Sequence, residues 1–170
     1  EPETSNSNLV AMVCPHIDYD RGGKSYAQLF ERSKSGLADI ETIVIFGTDH
    51  SGSAGALTPT RQNYMTPYGI IPTDLEIVEG LAKTIGEKHA FNEELHHVKE
   101  HSIELALVWL HHYLDRREIS LVPILCGSFH PFVSEGRDID SSEAISVAIK
   151  YLQRATADRR TLVVAAADLA

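Results

Sequence analysis

Thr42-Ile43-Val44-Ile45-Phe46-Gly47-Thr48-Asp49-His50 is the stretch on which the fold turns. A run of β-formers followed by a glycine and polar residues reads as a short strand, about 42–47, leading into a loop. An earlier run, Leu9-Val10-Ala11-Met12-Val13-Cys14, has the same character and ends in Pro15-His16. In open α/β sheets, ligands and chemistry gather at the carboxyl ends of the strands. Each run therefore delivers a histidine to the edge where a site is expected. Two imidazoles projected from neighbouring strand ends can share one metal ion, so His16 and His50 are the leading candidate ligands, provided that the two strands meet.

Working outward, the first strand (about 8–14) leads through a loop at 15–23 into a helix around 24–35, with Tyr26, Leu29 and Phe30 at i, i+3, i+4 spacing. Ser51-Gly52-Ser53-Ala54-Gly55 reads as loop, and 56–73 as an insertion whose Tyr64 to Pro72 portion forms two short strands or a hairpin beside the main sheet. Thr73 or Asp74 caps a helix over 74–86 with an apolar stripe of Leu75, Val78, Leu81, Ala82 and Ile85. A long helix is expected over 93–114, nearly all apolar from Leu105 to Leu110, then a strand from Ile119 to Cys126, a surface loop at 134–140, a helix near 141–157 and a last strand at 161–167. Strands separated by helices predict a three-layer α/β/α arrangement with a largely parallel sheet and helices on both faces.

The 170 residues are 43% hydrophobic and 23% charged, which suits one domain core over 1–170. The final strand-like run closes the sequence with no element after it, so the domain is expected to be incomplete at its C-terminus. A formal charge of −9 with no basic stripe argues against nucleic acid as a partner. No apolar stretch approaches the roughly 18 residues of a membrane span, and the start lacks the regions of a signal peptide. Cys14 and Cys126 are the only cysteines, both in apolar runs, so buried thiols in a reducing, cytoplasmic setting are expected rather than a disulfide framework.

A neutral imidazole suits zinc, iron or copper, and such ions need two or three converging protein donors with one position left open. Asp18 and Asp49 stand close to the two histidines in sequence and could add a carboxylate or orient a ring. The cluster His96-His97-Val98-Lys99-Glu100-His101 is denser. On one continuous helix His97 and His101 would share a face and could chelate a metal. Its order is His-Val-Lys-Glu-His rather than His-Glu-x-x-His, which rules out a zincin metalloprotease. His101 is alternatively a general acid or base at a cleft. His89, His111, His112 and His130 read as surface or loop residues, with His130 also following a strand end. No nucleophile elbow, phosphate-binding loop or dinucleotide fingerprint occurs.

Five motifs in order carry a family resemblance: Pro15-His16-x-x-Tyr19-x-x-x-Gly23, Gly47-Thr48-Asp49-His50, Thr66-Pro67-Tyr68-Gly69, Glu100-His101-Ser102-Ile103-Glu104 and Val122-Pro123-Ile124-Leu125-Cys126-Gly127. Together they resemble the Memo family, including the B component of the AmmeMemoRadiSam set. The resemblance implies a fold similar to class III extradiol dioxygenases, with non-haem iron or a related divalent metal, copper or zinc, between strand ends. By that resemblance His16 and His50 match the first two metal-binding histidines, and His101 a histidine lining the same pocket. Asp168 falls in the family's Ser-Ser-Asp-x-x-His motif and would position the site, with a third ligand expected after Ala170. The implied activity is redox or dioxygenase-like on a small-molecule or peptide ligand. The rivals are a metal-assisted hydrolase and a non-catalytic binding module, and the oligomeric state is left open. The sequence departs from the family at Asp18 (usually Gly), Arg21 (usually aromatic) and Ser51 (usually a second His), and extra acidic groups near the cleft would favour a hard or divalent cation.

Overall fold

The computed structural model describes residues 9–115 and 117–167. Strands β1 (Ala11–Cys14), β2 (Thr42–Thr48), β6 (Ser120–Cys126) and β7 (Thr161–Ala166) run parallel, and β3 (Leu57–Pro59) adds an antiparallel edge to give the order β1-β7-β2-β6-β3. A separate hairpin, β4 (Tyr64–Thr66) with β5 (Gly69–Ile71), lies where paired short strands were expected. The expected strand pattern thus holds, with β3 as an addition drawn from the stretch read as insertion.

Side chains alternate across the central strands and meet a different helical layer on each face. Ile43, Ile45, Leu121, Leu125, Leu162 and Val164 pack beneath α1 (Tyr19–Ser33) and α4 (Ser102–Tyr113). Val44, Val122 and Ile124 pack against α2 (Leu75–Ile85) and α6 (Glu143–Ala155). Both layers are present, so the molecule is α/β with a mostly parallel sheet flanked by helices. On the face of the second layer, Val13 on β1 and Val163 on β7 remain 48% and 38% exposed. Cys14 on β1 and Cys126 on β6 are free, and burial, joined at Cys126 by the charge of Asp49, pushes each thiol up to about 12.

Two helices begin elsewhere than the pattern predicted. Helix α1 starts at Tyr19, within the stretch taken for loop, because the Asp18 side chain accepts the N–H of Arg21 and caps it. Gly22 does not break that helix; a Cβ there would sit 2.4 Å from the Ile17 side chain, so the glycine allows close packing. The expected helix over 93–114 is two pieces, a 3-10 turn at Glu94–Val98 and α4, separated by Lys99, Glu100 and His101. The short helices α3 (Glu87–Ala90) and α5 (His130–Ser134) complete the fold.

Candidate metal centre

Strands β1, β7 and β2 finish level with one another, since Cys14 and Gly47 both pair with Ala166. The two histidine-bearing strands are therefore not neighbours: β7 lies between them, against the adjacency that the sequence reading needed. At the usual strand spacing, about 10 Å of sheet separates β1 from β2. Each strand is followed by only one residue before its histidine, and that short reach suffices. His16 Nε2 lies 3.2 Å from His50 Nε2, with ring centroids 5.0 Å apart. His16 is 3% exposed, whereas His50 is open to solvent.

Two donors bound tetrahedrally at the 2.0–2.1 Å of a metal–imidazole bond stand about 3.3 Å apart. The observed separation fits joint coordination, and it equally fits an N–H···N hydrogen bond between the rings in the absence of an ion. His101 closes the break before α4, and its ring lies 5.9 Å from that of His16 and 5.4 Å from that of His50 by centroid. Residues 16, 50 and 101 thus meet at the carboxyl edge of the sheet. Asp168 lies outside the described residues.

Beneath His50 and His101 lies a carboxylate that the sequence reading did not assign to the site. Glu100, its side chain 8% exposed, has Oε2 at 3.0 Å from the His50 backbone N and 2.9 Å from His50 Nδ1. Its Oε1 lies 2.9 Å from the His101 backbone N and 3.1 Å from His101 Nδ1. Burial raises the carboxyl pKa, but the backbone and ring N–H groups of His50 and the backbone N–H of His101 outweigh it and pull the group down to about 2. Donor atoms of His50, Glu100 and His101 lie within 4.8 Å of one another, a grouping that could hold a metal ion.

Asp49 serves a different histidine from the one beside it in sequence. Its Oδ2 is 2.8 Å from His96 Nδ1, and its Oδ1 accepts the Ser51 backbone N–H at 3.0 Å. The carboxylate needs the space left by Gly52, where a Cβ would stand 2.6 Å from Asp49 Oδ2. Glu93 accepts hydrogen bonds from the backbone and hydroxyl of Ser53 and, with Asp49 and His96, makes a second metal-compatible group. A pocket of about 240 Å³ bordered by Asp49, Ser51, His96, Lys99 and Glu100 joins the two groups.

Other expectations are corrected. Asp18 does not orient His16; it caps α1 and forms an exposed ion pair with Arg21, so two of the departures from the family pattern hold each other. His97 and His101 do not share a helix face, because the chain breaks between them. His97 turns inward with Nδ1 2.7 Å from the Tyr64 hydroxyl and Nε2 2.8 Å from the Thr58 carbonyl. Burial, the largest influence, lowers its pKa below the usual histidine value. His111, read as a surface residue, is 4% exposed with Nδ1 2.7 Å from the Thr66 hydroxyl. His89, His112 and His130 are exposed. No local spacing links Glu100 to His50, 50 residues away, or Asp49 to His96. The one signal was the Glu100-His101 run already present in the resemblance.

Known proteins resemble this chain in sequence. A family model described as "Memo-like protein" matches residues 1–170. A MEMO1 family protein of Methanosarcina mazei is 34% identical over 125 residues, covering 74% of this chain and 43% of the relative. One from Thermococcus onnurineus is 32% identical over 169 residues, covering 96% of this chain and 53% of the relative. One from Archaeoglobus fulgidus is 27% identical over 164 residues, 96% of this chain and 56% of the relative. The chain spans about half the length of these curated relatives. A match along its whole length, with the motif histidines gathered at one sheet edge, makes this chain a member of the Memo-like protein family.

Proposed function

We propose that the chain binds a divalent metal through His16 and His50 and supports redox chemistry of the dioxygenase type on a small-molecule or peptide ligand. The observation that carries the reading is the 3.2 Å approach of the two Nε2 atoms, made by segments 34 residues apart and across an intervening strand. Imidazole pairs with open positions suit iron, copper or zinc, and iron is favoured where a two-histidine set is completed by a further donor and O₂ is a substrate. When bound, any of these ions would polarise a ligand oxygen, and iron or copper, unlike redox-inert zinc, would also supply redox chemistry.

The chain's own residues would do the rest. The buried His16 offers a rigid donor, and His50, open on its outer side, admits the ligand. His101 lies within reach of the same space as a proton acceptor or donor to the bound molecule. Glu100 keeps His50 and His101 at fixed depth by anchoring both their backbones. Asp168 and a third donor from beyond Ala170 would complete the arrangement.

Metal content of the intact protein after chelation and reloading, compared with H16A and H50A, tests the first half of this reading. Oxygen uptake with catechols and related ring compounds tests the second. Stoichiometric metal lost in both variants, with uptake that depends on it, is the expected result. Metal uptake with no turnover would leave a binding module, metal-dependent hydrolysis without oxygen consumption would favour the hydrolase, and absence of metal affinity would refute the proposal.

A further inference from the structure

Glu100 makes an arrangement that reaches past metal binding itself. An ionised carboxylate accepts hydrogen bonds and donates none. Its two oxygens divide their contacts evenly: Oε2 faces the backbone N and Nδ1 of His50 at 3.0 and 2.9 Å, and Oε1 faces the backbone N and Nδ1 of His101 at 2.9 and 3.1 Å. Three of these contacts are hydrogen bonds, and the fourth, at His101 Nδ1, is a close electrostatic contact; a ring lone pair facing a carboxylate oxygen at that range would be repelled, so each neutral ring carries its proton on Nδ1 and a lone pair on Nε2. The consequence passes on to His16. With His50 Nε2 an acceptor, the 3.2 Å contact in metal-free protein requires His16 Nε2 to be the donor.

We infer that Glu100 is a positioning residue whose single carboxylate sets the tautomer of both His50 and His101, so that each ring carries its Nε2 lone pair away from the carboxylate. A carboxylate on one ring of a metal site orients one ligand. Here one carboxylate couples the proposed ligand His50 to its neighbour His101, so that the tautomers of the two rings have a common cause. Its significance rests on the metal reading above, whereas its test does not.

The test is long-range ¹H–¹⁵N correlation spectroscopy of histidine-labelled, metal-free intact protein, recorded about two pH units above the ordinary histidine value of roughly 6.5. His50 and His101 are expected in the Nδ1–H form and His16 in the Nε2–H form. In E100Q the side-chain amide offers one acceptor and one donor. One of the two rings should therefore keep its proton on Nδ1 while the other moves it to Nε2, a response that a purely packing role would not give. Metal affinity, where present, should fall about 10- to 100-fold in E100Q. An Nε2–H form at residue 50 or 101 in the natural protein, or unchanged tautomers in folded E100Q, would overturn the inference. If E100Q does not fold, the spectrum of the natural protein decides alone. Loss of metal affinity in the natural protein with the expected tautomers would refute the metal reading and leave this one standing.

Discussion

Histidines occupy two regions of this molecule and are used in opposite ways. At the hairpin, His97 spends both ring nitrogens on the protein, on the Tyr64 hydroxyl and the Thr58 carbonyl, and is 9% exposed. His111 joins it there through the Thr66 hydroxyl. At the sheet edge, His50 and His101 each place Nδ1 beside a Glu100 oxygen and lie against other imidazoles, with side chains 48% and 54% exposed. A ring with both nitrogens committed to neutral protein partners fastens structure. A ring with a carboxylate behind it and an open face ahead has one nitrogen to offer. What separates fastener from candidate ligand is the chemistry of the partners, and neither abundance nor spacing in the sequence reports it.

This contrast breaks most sharply under substitution at the sheet edge. H16A and H50A should each lower metal affinity by more than the roughly 100-fold that marks the upper end for losing a supporting partner. Their metal-free unfolding midpoints should stay near that of the natural protein; competition against a chelator and a thermal melt measure the two quantities. H97F should do the reverse. Leaving the Tyr64 hydroxyl and Thr58 carbonyl without their partner should cost about 1–3 kcal/mol or more in denaturant unfolding, with metal affinity changed less than twofold. If H97F weakens metal binding as strongly as H50A, the two regions are not separate.

The pH dependence sharpens the same division. The folded-state pKa of His97 lies below its unfolded value of 6.5 because burial disfavours the charged ring. Its neutral form is therefore favoured by folding, so its contribution to stability is complete above pH 6.5 and is lost as pH falls below that value toward the lower folded one. H97F should remove this part of the acid destabilisation, visible as a flatter plot of unfolding free energy against pH. The smallest effect is expected at His112, which is exposed on α4; H112A should shift stability by less than about 0.5 kcal/mol and leave metal affinity unchanged.

The strands were legible because burial on a parallel sheet demands short β-forming runs, and those around 42–47 and 119–126 lie within a residue or two of β2 and β6. Helix α2 was legible from its stripe and from Asp74, whose side chain caps it by accepting the Ile77 N–H. The break at Lys99–His101 was not, because neither glycine nor proline marks it; there Glu100 accepts the backbone N–H groups of His50, from a separate loop, and of His101. The place of β7 between β1 and β2 was also hidden, since strand order follows from how the helices pack rather than from any residue in the strands. Sequence motifs named His16, His50 and His101 as candidates. Contacts across 47 and 50 residues, Asp49 to His96 and His50 to Glu100, were beyond reach of any local pattern.

On the proposed reading, His16 and His50 bind one ion together at the carboxyl edge of the sheet. X-ray absorption of the intact protein loaded with one equivalent of zinc or iron measures this directly. Imidazole scatterers are expected at about 2.0–2.1 Å, reduced by one in H16A and by one in H50A. A coordination shell unchanged by both substitutions would contradict that reading.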